Sequence, residues 1–132
     1  MAIGAAGLLL TGVRPAQFYP ALWSAPLLLG VGWMVWRHGA GWWRDIAAGD
    51  WREAGSWALA ALGCGLCWEL WNLHSLAKWI YTVPYVHRWQ VFEMPLLGYT
   101  GYLPFGLECA LVAGWILEET QSPRRSWESS RR

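Results

Sequence analysis

The sequence predicts an all-α, polytopic integral membrane protein with about three transmembrane helices. Three observations carry that expectation. Of the 132 residues, 55% are hydrophobic and only 14% charged. An ordinary soluble domain carries about 25% charged residues, so this chain has too few to cover itself in water. Thirteen tryptophans suit the membrane–water boundary, where an amphipathic indole ring sits among the headgroups. The charges are also segregated into Arg37–Glu53, Lys78–Arg88 and Glu118–Arg132, with long apolar stretches between them. A net charge of +1 gives no case for nucleic acid as a partner. Neither a Gly-rich phosphate loop nor a Ser/His/Asp motif is present, so a soluble hydrolase, kinase or dinucleotide enzyme has no support.

The elements follow in order. Residues 1–13 are apolar but lack a basic start, and Arg14-Pro15 follows without a cleavage site, which speaks against a cleavable signal peptide. They are too short for a straight span and read as a partial span, an interfacial helix or a piece of a longer chain. The first span covers residues 16–36, with Pro20 and Pro26 marking its start or kinking it. The second covers residues 56–77; 22 residues at about 1.5 Å each cross a hydrocarbon core of about 30 Å. The third lies within residues 91–117. That stretch holds Pro95, Gly98, Gly101, Pro104 and Gly106 and predicts a broken helix, or a re-entrant turn followed by a helix. Non-helical backbone at that depth must be buried in protein or line a wet cavity.

Between the spans, residues 37–55 mix Trp42, Trp43 and Trp51 with Arg44, Asp45, Asp50, Arg52 and Glu53, the pattern of a loop lying on the interface. Residues 78–88 carry Trp79, Tyr81 and Tyr85 around Pro84. Residues 1–119 thus form a single membrane domain, and 120–132 a polar tail predicted to be disordered. With three spans, the first loop and tail share Arg37, Arg44, Arg52, Arg124, Arg125, Arg131 and Arg132 on one side, against Arg14, Lys78 and Arg88 on the other. The excess of basic residues makes the first side cytoplasmic, as in a bacterial inner membrane. Ala61 and Gly65 on the second span, and Gly106, Ala110 and Gly114 on the third, form small-residue ridges along which helices can approach closely in lipid. They favour association with a second copy or with other membrane subunits.

Glu69 is the sharpest chemical feature. A charged carboxylate at the bilayer centre costs about 2.5–3.5 kcal/mol on insertion scales, so it must be neutral, paired or turned to a polar cavity. Gly65, Glu69 and Asn72 fall on one helical face through i+4 and i+3 spacing, beside the small-residue ridge. A hydrogen bond that holds helices together explains this equally well. Glu93 and Glu108 lie in the third stretch, and an acid that stays protonated in the membrane can donate its proton there. Glu69, Glu93 and Glu108 are therefore the candidate catalytic acids, and Trp68, Trp71, Asn72, Trp79 and Tyr81 the candidate substrate-binding groups. His74 is five residues past Glu69, about 140° around the helix, and suits a boundary position. No Glu-x-x-His pair occurs, so a dimetal carboxylate site is not expected, and neither metal nor cofactor is assigned. Cys64-Gly-Leu-Cys67 spells a Cys-x-x-Cys redox pattern, but only Cys109 remains as a further thiol. Small buried apolar residues are the simpler reading of all three.

Residues 68–105 read Trp68-Glu69-Leu70-Trp71-Asn72, then Lys78-Trp79-Ile80-Tyr81-Thr82-Val83-Pro84-Tyr85, then Phe92-Glu93-Met94-Pro95-Leu96-Leu97. This layout resembles the lycopene cyclase domain of bacteria, archaea and fungi. That family shows about three spans, an acid after tryptophan in one span, a Trp-x-aromatic segment in the next loop, and an acid beside proline entering the following span. The resemblance implies that Glu69 is the first acid, Trp79 and Tyr81 the loop aromatics, and Glu93 the entering acid. The family usually places proline before a paired acid; here the order is Glu93-Met94-Pro95 with no second acid beside it. Phe92–Glu108 is also similar to uncharacterised bacterial membrane proteins. The cyclase resemblance implies acid chemistry on a polyene such as a carotenoid precursor, with a glutamate protonating an end-group double bond and aromatic faces stabilising the cation. Two functions are expected in consequence. One is a membrane protein with buried carboxylates that binds or acts on a long apolar isoprenoid or lipid. The other is a non-catalytic accessory subunit of a larger electron-transfer or pigment–protein assembly.

Overall fold

A computed structural model of the chain describes residues 1–37, 41–82 and 89–129, with side chains through Leu117. The described residues are mostly helical. The helices are α1 (Ala2–Val13), α2 (Pro15–Phe18), α3 (Ala21–Trp36), α4 (Trp42–Ala47), α5 (Arg52–Leu73) and α6 (Tyr102–Ser129). A small antiparallel hairpin pairs β1 (Gln90–Val91) with β2 (Met94–Pro95), and a 3-10 turn, Leu96–Gly101, leads into α6. Pro84 and Tyr85 of the second loop, and the side chains of the basic tail, lie outside the described residues.

α6 is the middle layer, packed on α5 along one side and on α3 along the other. α1 folds back against α3. Gly4 makes this possible, because a Cβ there would sit 3.0 Å from the carbonyl oxygen of Ala25. The turn between them is tied by the Thr11 hydroxyl, which lies 2.8 Å from the carbonyls of both Gly7 and Phe18. Pro15 opens α2 at a position where its missing N–H breaks no helical bond.

The α5–α6 contact is closest at Gly106, where an added Cβ would meet the Trp57 carbonyl oxygen at 2.4 Å. Tyr102 lies one turn earlier, and its ring would be 2.5 Å from a Cβ on Gly65. The small-residue ridges therefore interlock through Ala61, Gly65 and Gly106. Ala110 extends the contact into a buried cluster with Trp42 and Ala54. Gly114 meets nothing within 4 Å among the described residues. α4 departs from a loop lying wholly on the interface: Trp42 is only 6% exposed and plugs the junction of the helices, whereas Trp51 remains 64% exposed.

One helical stretch among the described residues, Leu96–Leu117, is long and apolar enough to cross a membrane. α1 and α3 are apolar but shorter, at 12 and 16 residues. α5 has the length, 22 residues, but Arg52, Glu53, Glu69, Asn72 and three tryptophans lower its hydropathy. The segment expected as the third span is not a single helix. Pro95 ends the hairpin in extended backbone, with ψ of 141°. Pro104 falls in the first turn of α6, where a proline costs no hydrogen bond. Trp89 and Phe92 adopt φ of 62° and 57°, a left-handed conformation that large side chains seldom take. One of the two precedes the hairpin and the other lies in its turn.

Candidate functional site

α5 turns one face inward, and its buried residues are Ala54, Gly65, Glu69 and Asn72. Glu69 is fully buried, at 0% exposure. Its Oε1 accepts hydrogen bonds from the Tyr81 hydroxyl at 2.5 Å and the Tyr102 hydroxyl at 3.3 Å. Its Oε2 is buried with no partner among the described residues. An unpartnered buried polar atom costs about 1–3 kcal/mol, which marks the position as one held for a reason other than economy of folding. The Tyr99 ring lies 6.1 Å from that of Tyr102, and the Tyr99 hydroxyl donates to the carbonyl of Val91 at 3.0 Å. The acid is thus enclosed by tyrosines from the loop and from the start of α6.

The loop after α5 is strapped over this acid. Asn72, one turn past Glu69, bonds the backbone of Trp79 twice: its Nδ2 donates to the carbonyl at 2.8 Å, and its Oδ1 accepts from the N–H at 2.7 Å. Lys78 pairs with Glu93 Oε1 at 2.6 Å, tying the strap to the hairpin. Tyr81 completes the closure by reaching Glu69. Burial first, and then the hydrogen bond to Glu69, push the Tyr81 hydroxyl well above the usual phenol range.

The candidate residues therefore separate. Glu69, Asn72, Tyr81 and the Trp79 backbone come together. Trp68 and Trp71 are 60% and 71% exposed and point away from the acid. Glu93 is engaged by Lys78. Glu108 is held elsewhere, its Oε1 accepting the backbone N–H of Leu27 at 3.1 Å. Glu108 lies six residues beyond Tyr102, which at 100° per residue puts it about 120° around α6, toward α3 instead of α5. Sequence reasoning missed Tyr102 and Lys78. Tyr102 was signalled by its i+4 spacing to Gly106 on the ridge; Lys78 had no local signal, because its partner is 15 residues away.

His74 caps α5 and is exposed. Cys64, Cys67 and Cys109 are free and exposed, which corrects the expectation of buried thiols: among the described residues no helix covers the α5 face that carries the first two. Among the described residues no three metal-ligating side chains gather. No protein family, curated protein or solved structure matches the chain.

Proposed function

We propose that the chain is a polytopic membrane protein that binds a long apolar isoprenoid or lipid and applies Glu69 to it as an acid, in the manner of lycopene cyclase-like chemistry. The observation that carries this reading is the Glu69 carboxyl itself. One oxygen is held by two tyrosine hydroxyls; the other has no partner among the described residues. The surrounding tyrosine rings offer π faces to a developing cation. A proton delivered to a terminal double bond, ring closure, and loss of a proton elsewhere leave the substrate isomerised at unchanged mass. Tyr81 and the strap stand between the acid and the surface, so an apolar substrate reaches Glu69 when the strap lifts. The spans are the three regions around α3, α5 and the stretch Leu96–Leu117 that leads into α6, with the first loop and tail on the cytoplasmic side of a bacterial inner membrane.

The accessory-subunit reading has its own support. Glu93 is neutralised by Lys78 and Glu108 is satisfied by backbone, as structural carboxylates would be. One experiment separates the two. The protein is purified gently from its membranes, co-migrating molecules are identified by mass spectrometry, and the preparation is incubated with an acyclic polyene. A bound polyene or lipid, and an isomerised product lost by at least about 100-fold in Glu69→Gln, support the acid reading. Stoichiometric membrane subunits, with no product that depends on Glu69, support the accessory role.

A further inference from the structure

Glu108 lies outside the Glu69 site, on the opposite flank of α6, and the groove it faces has a chemistry of its own. The groove runs between α3 and α6 with a volume of about 440 Å³, inside the range of about 300–1,000 Å³ usual for small-molecule sites. Pro26, Leu29 and Trp33 line one wall, and Leu111, Val112 and Trp115 the other. The walls are fixed: the Trp115 indole N–H is 2.6 Å from Met34 Sδ, and Leu111 packs so tightly on Gly30 that an added Cβ would lie 2.3 Å from its Cδ2. Glu108 is the one charged side chain in this lining. Its Oε1 is occupied by the Leu27 N–H, and its Oε2 has no partner among the described residues.

We propose that this groove binds an apolar chain ending in a single hydroxyl, whose O–H donates to Glu108 Oε2. The inference rests on the reading of the chain as a membrane protein for apolar ligands, and adds to it a second site and the identity of the ligand's polar end. Three features select the class. The walls are mostly apolar, and Met1 also lines the groove. The carboxyl oxygen left unbonded, Glu108 Oε2, can accept from a donor that the ligand brings, whereas a charged head such as a phosphate would have to shed its hydration. Glu108 also sits near the middle of the Leu96–Leu117 stretch. A hydroxyl reaches that depth at far lower cost than an ammonium, which would have to shed its hydration. An alcohol therefore fits where an amine, a phosphate or a plain hydrocarbon does not.

The test uses the full chain in nanodiscs and three probes: a C20 prenyl alcohol bearing a diazirine at its far end, its methyl ether, and the corresponding hydrocarbon. Photolabelling is read by mass spectrometry of the peptides containing Leu29–Trp33 and Leu111–Trp115. The alcohol is expected to label these peptides about tenfold more efficiently than the ether or hydrocarbon, the worth of one hydrogen bond. In Glu108→Gln the amide keeps the Leu27 bond through its oxygen and turns a donor toward the groove. The preference for alcohol over ether should then fall to about one. Val112→Trp, which fills the groove, should abolish labelling by all three probes. Equal labelling by alcohol and ether in the wild type overturns the proposal without needing any variant to fold, as does a preference that survives Glu108→Gln. The two readings fail separately. Absence of a Glu69-dependent product removes the acid chemistry and leaves the alcohol preference standing; loss of the preference removes the second site and leaves Glu69 untouched.

Discussion

Replacing Gly106 by alanine probes the closest approach in the fold. A Cβ at that position would lie 2.4 Å from the Trp57 carbonyl oxygen and 2.8 Å from Ala61 Cβ. Comfortable contacts between carbons begin near about 3.5 Å, so α5 and α6 must part by about 1 Å. One of the opposing atoms is backbone, and no rotamer change relieves it. Overpacking of this kind costs about 1–3 kcal/mol, while the exchange of glycine for alanine in a helix returns about 1 kcal/mol. Gly114 supplies the internal reference. It lies eight residues further along α6 and meets nothing within 4 Å among the described residues, so Gly114→Ala carries the propensity gain without the clash. Subtracting one variant from the other cancels propensity and leaves the cost of overpacking, about 1–3 kcal/mol in favour of Gly114→Ala. Reversible unfolding in a single detergent, followed by tryptophan fluorescence, measures the difference. If the two variants are equally stable, the ridge contact between α5 and α6 is not made as described, and the placement of Tyr102 beside Glu69 falls with it.

Two further outcomes test the strap. Asn72→Ala removes both hydrogen bonds to Trp79, each worth about 0.5–1.5 kcal/mol, and hydrogen exchange at the Trp79 amide should accelerate about tenfold or more; unchanged exchange would mean that something other than Asn72 holds the strap. Alkaline titration tests Tyr81. Its folded value is raised by burial and by Glu69, so its contribution to stability is complete below the unfolded phenol value of about 10 and is lost as pH rises through the folded value. The tyrosinate absorbance of wild type minus Tyr81→Phe should therefore appear only well above pH 10, and a midpoint near the ordinary phenol value would show that Tyr81 does not close over Glu69.

Part of this was legible because helices repeat. Gly65, Glu69 and Asn72 share a face by spacing alone, and the three are buried together. Ala61 and Gly106 stood out as small residues on apolar helices, and they meet. Other features depend on contacts that no local period encodes. Trp42 belongs by composition to an interfacial loop, yet it is buried because α4 folds inward over Ala54 and Ala110. Lys78 of the strap pairs with Glu93 in the turn of a hairpin that needs φ near +60° at Trp89, just before it, and at Phe92, within its turn, a conformation their residue types argue against. Cys64 and Cys67 show the converse: their spacing was plain, but whether that face of α5 meets a neighbour was not.

The three glutamates show why burial has to be located before chemistry can be assigned. In the sequence each is an acid in apolar surroundings, and each is an equal candidate for proton donation. In the fold they differ by what faces them. Glu93 meets a lysine, which occupies one of its oxygens at 2.6 Å. Glu108 meets a backbone N–H and an apolar groove, which leaves one oxygen for a ligand's donor. Among the described residues Glu69 meets only phenols, weak acids that donate hydrogen bonds without supplying a countercharge, and its second oxygen has no partner there. Of the three environments, only the last combines complete burial, no cation among the described residues and aromatic faces within reach. If one of these acids protonates an apolar substrate, the geometry therefore favours Glu69, and Glu93→Gln should then leave turnover intact while Glu69→Gln abolishes it.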